Sequence, residues 1–337
     1  MSVGKKQRVA ATRLPPEVLL DILAQAGANS KTLRSTALVH SSWRLPSQYL
    51  LHTELALPSR KIAKSFLQVP GRRCYARKLS LPISLDLEDC WEVLEGVEGL
   101  QQLTLVAQEG ATGKSKFEID LLEATSLKDL RSLRLAAPFS EPIHPSTAFT
   151  FAFQRLSTLS FKGPYMSWPI ALLDALVVST ATSLNSLELD SYGSHASASR
   201  FFDALLPIAP QVQHVEVHGS DRSNPALLVF LTACTNLRSF TCWEATPAIL
   251  DCLSPTVEAL HIRKTYVFHN DILYDLLLTN SGVLAHLRQL RWSGITRATL
   301  KAQQGGFELL DDLAERGIET QFGAESVSTW YGSGLRA

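Results

Sequence analysis

The segment LRSLRL, Leu130 to Leu135, returns as LSTLSF at Leu156 and again as LNSLEL at Leu184. Each copy reads apolar, two free positions, apolar, one free position, apolar. The pattern precedes them as ARKLSL at Ala76 and LQQLTL at Leu100, and follows as VQHVEV at Val212, LRSFTC at Leu237, VEALHI at Val257 and LRQLRW at Leu287. The interval between starts is uneven but stays within the range of repeat architectures, roughly 20–50 residues. Self-similarity of this kind sets the architecture of most of a chain, because each unit buries its apolar side only against its neighbours. The last two apolar slots lie two positions apart, which is strand geometry with both side chains inward.

The stretches between the motifs have helical spacing. Residues 171–182 place Leu172, Leu173, Leu176 and Val177 on one stripe, and residues 270–279 do the same with Ile272, Leu273, Leu276 and Leu277. Asn224–Pro225 opens another helix with a capping residue and a proline in the first turn. Ile318, Thr320 and Phe322 form a candidate last, degenerate strand. Strand, turn, helix, turn, repeated, predicts an α/β solenoid: a curved parallel sheet lining the concave side with helices outside. This alternation resembles the leucine-rich repeat family in its longer, helix-containing variety. The repeat domain is expected over residues 72–325, with about nine to ten irregular repeats. It departs from the family pattern in lacking most of the Asn or Cys expected after the final strand leucine.

Residues 12–57 break the period. TRLPPEVLLDILAQAG sets Val18, Leu19, Ile22 and Leu23 at helical spacing, opened by Pro15–Pro16 and closed by Gly27. Ser30 can cap KTLRSTALV, and SSWRLPSQYLLHTELAL adds Trp43, Leu50, Leu51 and Leu55. Three helices in so short a span bury little, and a partner's surface often completes such a unit. The run from Leu14 through Pro15, Glu17, Val18, Leu19, Ile22 and Leu23, then Leu33, Arg34, Ala37, Leu38, Val39 and Trp43, resembles an F-box of the fungal style. His40 stands where Cys or Ser is common. The resemblance implies docking on the Skp-type linker of a cullin–RING ubiquitin ligase through Leu14, Pro15, Glu17, Val18, Ile22, Leu23, Leu38 and Trp43. An N-terminal cap for the solenoid is the other reading of this module, and the two are compatible.

The 337 residues carry 32 Lys plus Arg against 32 Asp plus Glu, a formal charge of zero. No global field then points to nucleic acid or an anionic membrane. No apolar run reaches the roughly 18 residues of a membrane-spanning helix, and the basic start leads into LPPEVLLDIL, so no secretory leader is expected. Residues 1–11 and 326–337 are expected to be flexible termini. Five cysteines, an odd number without metal or redox spacing, fit a reducing compartment, cytosol or nucleus. Cys242 fills a final apolar slot.

Two motifs imitate chemical signatures. QEGATGKS, Gln108 to Ser115, precedes the helix-like FEIDLLEA and ends like a phosphate loop, but Gln108 replaces the leading glycine. In HVEVH, His214 and His218 lie about 13 Å apart along a strand, too far to share one zinc. No cofactor, metal or catalytic residue is expected.

By strand alternation the third and fifth motif positions, and the one after the last apolar slot, point away from the core. They give Lys78, Arg134 and Lys162 early, then Glu188, Asp190, His214, Glu216 and His218. Trp243, His261, Arg263, Gln289 and Arg291 follow. An acidic and histidine-bearing centre beside a basic patch is a target-docking candidate, with Trp243 either a hot spot or strand packing. Acidification toward pH 6 is expected to charge the histidines. The resulting expectation is a non-enzymatic adaptor that recruits a protein target to an SCF-type ligase. A repeat scaffold without a ligase role, or a phosphate-loop nucleotide-binding protein, is the alternative.

Overall fold

A computed structural model describes residues 14–25, 30–57, 59–68, 76–82, 87–106, 117–136, 138–139, 151, 153–192, 194–218, 224–243, 245–263, 286–302 and 305–323. The candidate phosphate loop, the helix expected over 270–279, Gly27 and both expected flexible termini lie outside these residues. No helix among the described residues is long and apolar enough to cross a membrane.

Three helices come first: α1 (Pro16–Gln25), α2 (Ser30–Val39) and α3 (Ser41–Thr53). Leu19, Leu23 and Leu33 fill their interior at 0%, 4% and 6% exposure. Thr36 Oγ1 meets the buried Ser47 Oγ at 2.8 Å, which ties α2 to α3. His40 caps α3, its Nδ1 accepting from the Ser42 amide at 3.1 Å.

From there the chain builds one sheet. Its strands are β1 (Glu54–Ala56), β2 (Lys78–Pro82), β3 (Gln102–Val106), β4 (Ser132–Ala136), β5 (Thr158–Pro164) and β6 (Ser186–Tyr192). They continue as β7 (His214–Val217), β8 (Ser239–Cys242), β9 (Ala259–Ile262), β10 (Gln289–Ser293) and β11 (Glu319–Gly323). Each pairs only with its sequence neighbours, in the order β1 to β11, and all described pairings are parallel. This is an α/β parallel-sheet solenoid. All nine motifs lie on strands, and the degenerate segment at Ile318 is the last one.

The first strand lies earlier than the motif pattern alone places it. That pattern ends the helical module at residue 57 and opens the array at 72. Instead Glu54–Ala56 pairs with β2, Leu55 opposite Leu79, so the sheet starts inside the module's span. The reason is visible in HTELAL at His52, a further copy of the motif upstream of Ala76, whose first slot holds a histidine.

Crossovers on the covered side are α4 (Arg60–Leu67), α5 (Leu87–Glu95), α6 (Ile170–Thr180), α7 (His195–Leu205), α8 (Pro225–Ala233), α9 (Pro247–Asp251), α10 (Arg297–Lys301) and α11 (Gly306–Glu315). Asn224 caps α8 as expected, its side chain accepting from the Ala226 amide at 3.0 Å. The helix-like FEIDLLEA is instead a 3-10 turn over Ile119–Glu123. Ile119, Leu121 and Leu122 are all buried there, a spacing that a helical stripe of period 3.6 does not supply.

The motif slots are the core. Leu103, Leu105, Leu133, Leu135, Leu159 and Phe161 are fully buried, and so are the leading Leu100, Leu130 and Leu156. A second device locks the repeats. The amides of Gln101 and Gln102 both donate to the Arg77 carbonyl, at 2.8 and 2.9 Å. The same double donation reaches the carbonyls of Gln101, Arg131, Ser157, Asn185, Gln213, Arg238 and Glu258. Side chains add staples to preceding repeats: Ser183 Oγ to Leu156 O at 2.8 Å, Asn236 Nδ2 to Pro210 O at 2.7 Å, and Thr256 Oγ1 to Leu237 O at 2.8 Å.

Mid-array, aromatic rings replace leucine. Phe161 meets Phe201 edge-on at 5.2 Å, Phe201 meets Phe202 at 5.3 Å, and Phe202 meets Phe230 on α8 at 5.6 Å. This chain of rings joins three consecutive repeats. Phe202→Ala should therefore lower unfolding free energy by about 3–5 kcal/mol. Val178→Ala, at a position 78% exposed, should stay within about 0.5 kcal/mol. Denaturant unfolding of both variants checks the contrast.

Candidate functional site

The strand period that sends the leucines inward sends alternate residues to the uncovered face of the sheet. Ladder register then lines these up across strands. One row runs Ser80, Thr104, Arg134, Ser160, Glu188, Glu216, Thr241, His261, Arg291 and Gln321. Two positions further along each strand, Lys162 faces Asp190 and Ser293 faces Gly323. His218, Trp243 and Arg263 occupy the same slot just after β7, β8 and β9.

Charges on these rows pair across strands. Arg134 reaches Glu188 at 4.0 Å, two strands away. The intervening Ser160 is 0% exposed, and its hydroxyl has no hydrogen-bond partner among the described residues. Lys162 meets Asp190 at 3.6 Å. His218 Nε2 sits 2.7 Å from Glu216 and 3.4 Å from Glu188, an ion pair with both carboxylates. Arg263 completes the group, pairing with Glu216 and lying 3.4 Å from His218 Nδ1.

These contacts decide two protonation states. Burial alone would lower the His218 pKa, but Glu188 and Glu216 together override burial and the opposing Arg263 and raise it from 6.5 to about 9. His261 goes the other way, from 6.5 to about 4, through burial first and then the charges of Arg291 and Arg263. Its Nε2 is 2.8 Å from the Ser293 hydroxyl. The expected charging near pH 6 thus fails for both: His218 is already protonated there, and His261 stays neutral.

Of the residues predicted for the docking face, Glu188, Glu216, His218 and Arg263 form one network, with Asp190 on its edge. His261 and Arg291 adjoin on β9 and β10. His214 is exposed at the start of β7, in register with Ser186 and Ser239 and apart from the network. Trp243 is half-buried after β8. Ser160, Ser293 and Gly323 were missed, although Ser293 and Gly323 occupy the slot that nominated Asp190 and His218. Oxygens and nitrogens of Glu188, Glu216 and His218 come within 4.8 Å of one another, a spacing that a divalent cation could bridge. The histidines of HVEVH diverge, and the third member comes from the neighbouring strand. A cation here would have to displace Arg263 and the His218 proton, so the trio is better described as a balanced ion-pair network.

On the helical module, Leu14, Val18, Ile22 and Leu38 are 38%, 41%, 42% and 87% exposed. Pro15 and Glu17 are exposed as well, and Trp43 is half-buried. Leu23 is the correction: at 4% exposure it packs inside the module with Leu19 and Leu33 and presents nothing to a partner. Of the described cysteines, Cys90, Cys234 and Cys242 are buried and Cys252 is half-buried. Burial pushes the Cys234 thiol up to about 12, so it is inert.

No family model matches the chain. No curated protein sequence matches it. Among solved structures it is similar to the leucine-rich repeat-containing protein LegL7 from Legionella pneumophila, at 13% identity. That alignment covers 81% of this chain and 91% of the other, with a TM-score of 0.44.

The two histidines give opposite pH signatures. A raised folded pKa stabilises fully below about pH 6.5, and the contribution is lost as pH rises through about 9. Relative to wild type, His218→Gln should cost roughly 1–3 kcal/mol at pH 6 and much less at pH 9.5. The depressed pKa of His261 acts on the acid side. Wild type should lose stability between about pH 6.5 and 4, a slope that His261→Gln flattens. Urea melts across pH 4–9.5 measure both.

Proposed function

We propose that the chain is a non-catalytic adaptor, holding a protein partner on the open sheet face while its N-terminal module docks on a second protein. The observation that carries this reading is the module's apolar surface. Elsewhere the motif leucines are almost all buried, yet Leu14, Val18 and Ile22 form one exposed stripe at a spacing of four. Leu38, Val39 and Leu45 add 87%, 75% and 66% exposed side chains. Soluble proteins seldom leave such apolar residues grouped unless a partner covers them.

The sequence resemblance to an F-box names the partner: a Skp-type linker of a cullin–RING ubiquitin ligase. In this reading the chain does no chemistry. Its mechanism is proximity, keeping a target lysine near a ubiquitin-charged enzyme supplied by the assembly. One feature favours a second role for the same helices. α3 ends at Thr53 and β1 starts at Glu54, so the module also stands at the first edge of the sheet, where a solenoid needs a cap.

Leu38→Asp tests the adaptor reading, because an 87% exposed side chain contributes almost nothing to folding. Co-precipitation with the recombinant linker should weaken at least about tenfold, with thermal unfolding unchanged. Absence of linker binding by the wild type would remove the ligase role and leave a repeat scaffold, and undiminished binding by both Leu38→Asp and Ile22→Asp would move the docking surface off these helices.

A further inference from the structure

We infer that the chain self-associates as a twofold dimer, in which the outer edges of two β11 strands pair antiparallel and Glu319 of each copy meets Arg291 of the other.

The open edge is the first argument. Among the described residues β11 pairs with β10 alone and ends the strand order, whereas at the opposite edge α3 runs straight into β1. Two bonds fix which of its peptide groups face outward. The Glu319 amide donates to the Arg288 carbonyl at 2.8 Å, and the Gly323 carbonyl accepts from the Gly294 amide at 3.3 Å. Residues 319, 321 and 323 therefore turn their peptide groups to β10. Alternation leaves those of Thr320 and Phe322 aimed away from the sheet, ready for a further strand.

The apolar side of this edge is incomplete as well. On β10 the inward Leu290 and Trp292 are both 0% exposed, but their partners Thr320 and Phe322 are only half-buried. Phe322 stacks on Trp292 with ring centroids 5.3 Å apart, and among the described residues no strand lies beyond it.

Charge selects the occupant. Glu319 and Arg291 are both exposed on the open face, and neither has an ion-pair partner among the described residues. Arg291 Nη2 lies 3.5 Å from where a Gly323 side chain would begin, so the guanidinium leans over the bare glycine at the far end of β11 from Glu319. Consider the antiparallel register that keeps all of Glu319–Gly323 paired. Thr320 then exchanges both N–H···O bonds with Phe322 of the second copy, and the two Phe322 rings take diagonal positions on the inward side. Glu319 falls opposite Gly323 of that copy, a close pair with Cα atoms about 4.5 Å apart. Its carboxylate is thereby set against the Arg291 guanidinium lying over that glycine, and the twofold axis repeats the contact. This sheet already makes such a reach, since Arg134 pairs with Glu188 two strands away at 4.0 Å. An arbitrary partner strand could use the same amides, but a second β11 also brings the complementary charge to both ends.

Sedimentation equilibrium of the full chain, over a series reaching about 100 µM, should show a monomer–dimer equilibrium that weakens with added salt. Glu319→Arg and Arg291→Glu should each raise the dimer dissociation constant at least about tenfold, because each sets like charges face to face. Circular dichroism checks that both variants remain folded. Combining the two exchanges the charges and should restore the dimer. A monomer throughout, a dimer indifferent to either single change, or a folded double variant that stays monomeric would overturn the inference. A monomer whose Thr320 and Phe322 amides resist hydrogen exchange would overturn it too, by showing that residues 324–337 of the same chain cover the edge.

Discussion

Everything in the array depends on one backbone contact, the carbonyl just after each motif's leading apolar residue. From Arg77 to Glu258 it accepts two amides of the following repeat, as Arg77 does from Gln101 and Gln102, and at the last motif Arg288 accepts one, from Glu319. The contact takes no account of the chain between repeats, so short and long intervals alike deliver the next strand in the same register. Helices, 3-10 turns and longer connections can then differ from repeat to repeat. What persists is an inward-facing set of apolar slots, nearly all buried, and the alignment of the rows opposite them. Loop closure over such lengths changes little in entropy, whereas a slip of a single position would turn every leucine to water.

The same alignment explains why the open face carries a charge network. Register places Glu188 beside Glu216 and within reach of Arg134 across a strand. Two carboxylates on adjacent strands repel unless a cation lies among them. Protonated His218 and Arg263 supply it, at the ends of β7 and β9. Their partial burial makes the arrangement interdependent: removing one charge strands its partners in a poorly hydrated place. His261, on β9 two strands from Glu216, is held neutral by burial first and then by the charges of Arg291 and Arg263.

Much of this was legible in the residues, for reasons that also mark where legibility ends. Period two and period 3.6 are local, so strands β2 to β11, α6 and the capped start of α8 could be read directly. β1 escaped because His52 occupies the slot that defines the motif, although Leu55 and Leu57 keep the spacing. The 3-10 turn at Ile119–Glu123 escaped because apolar content alone does not separate it from an α-helix. On the face, alternation identified the outward residues but not their company. HVEVH was judged along its own strand, where its histidines diverge, while the decisive neighbour, Glu188, comes from the preceding repeat. Leu23 was misassigned for a related reason: helical spacing does not say which of two adjacent stripes, Leu19–Leu23 or Val18–Ile22, faces the other helices.

The direct passage from α3 into β1, with no residue between Thr53 and Glu54, turns the protein into a ruler. Parallel strands step by about 4.8 Å. Arg291 on β10 therefore stands nine steps, roughly 43 Å along the sheet, from the strand continuous with the N-terminal helices. Because each interval is set by ladder bonds and a packed core rather than by a linker, that distance is inelastic. Whatever is held at the far end is presented to anything gripping the helices at one reach and one orientation. Lengthening the gap would take an inserted repeat, not a looser loop.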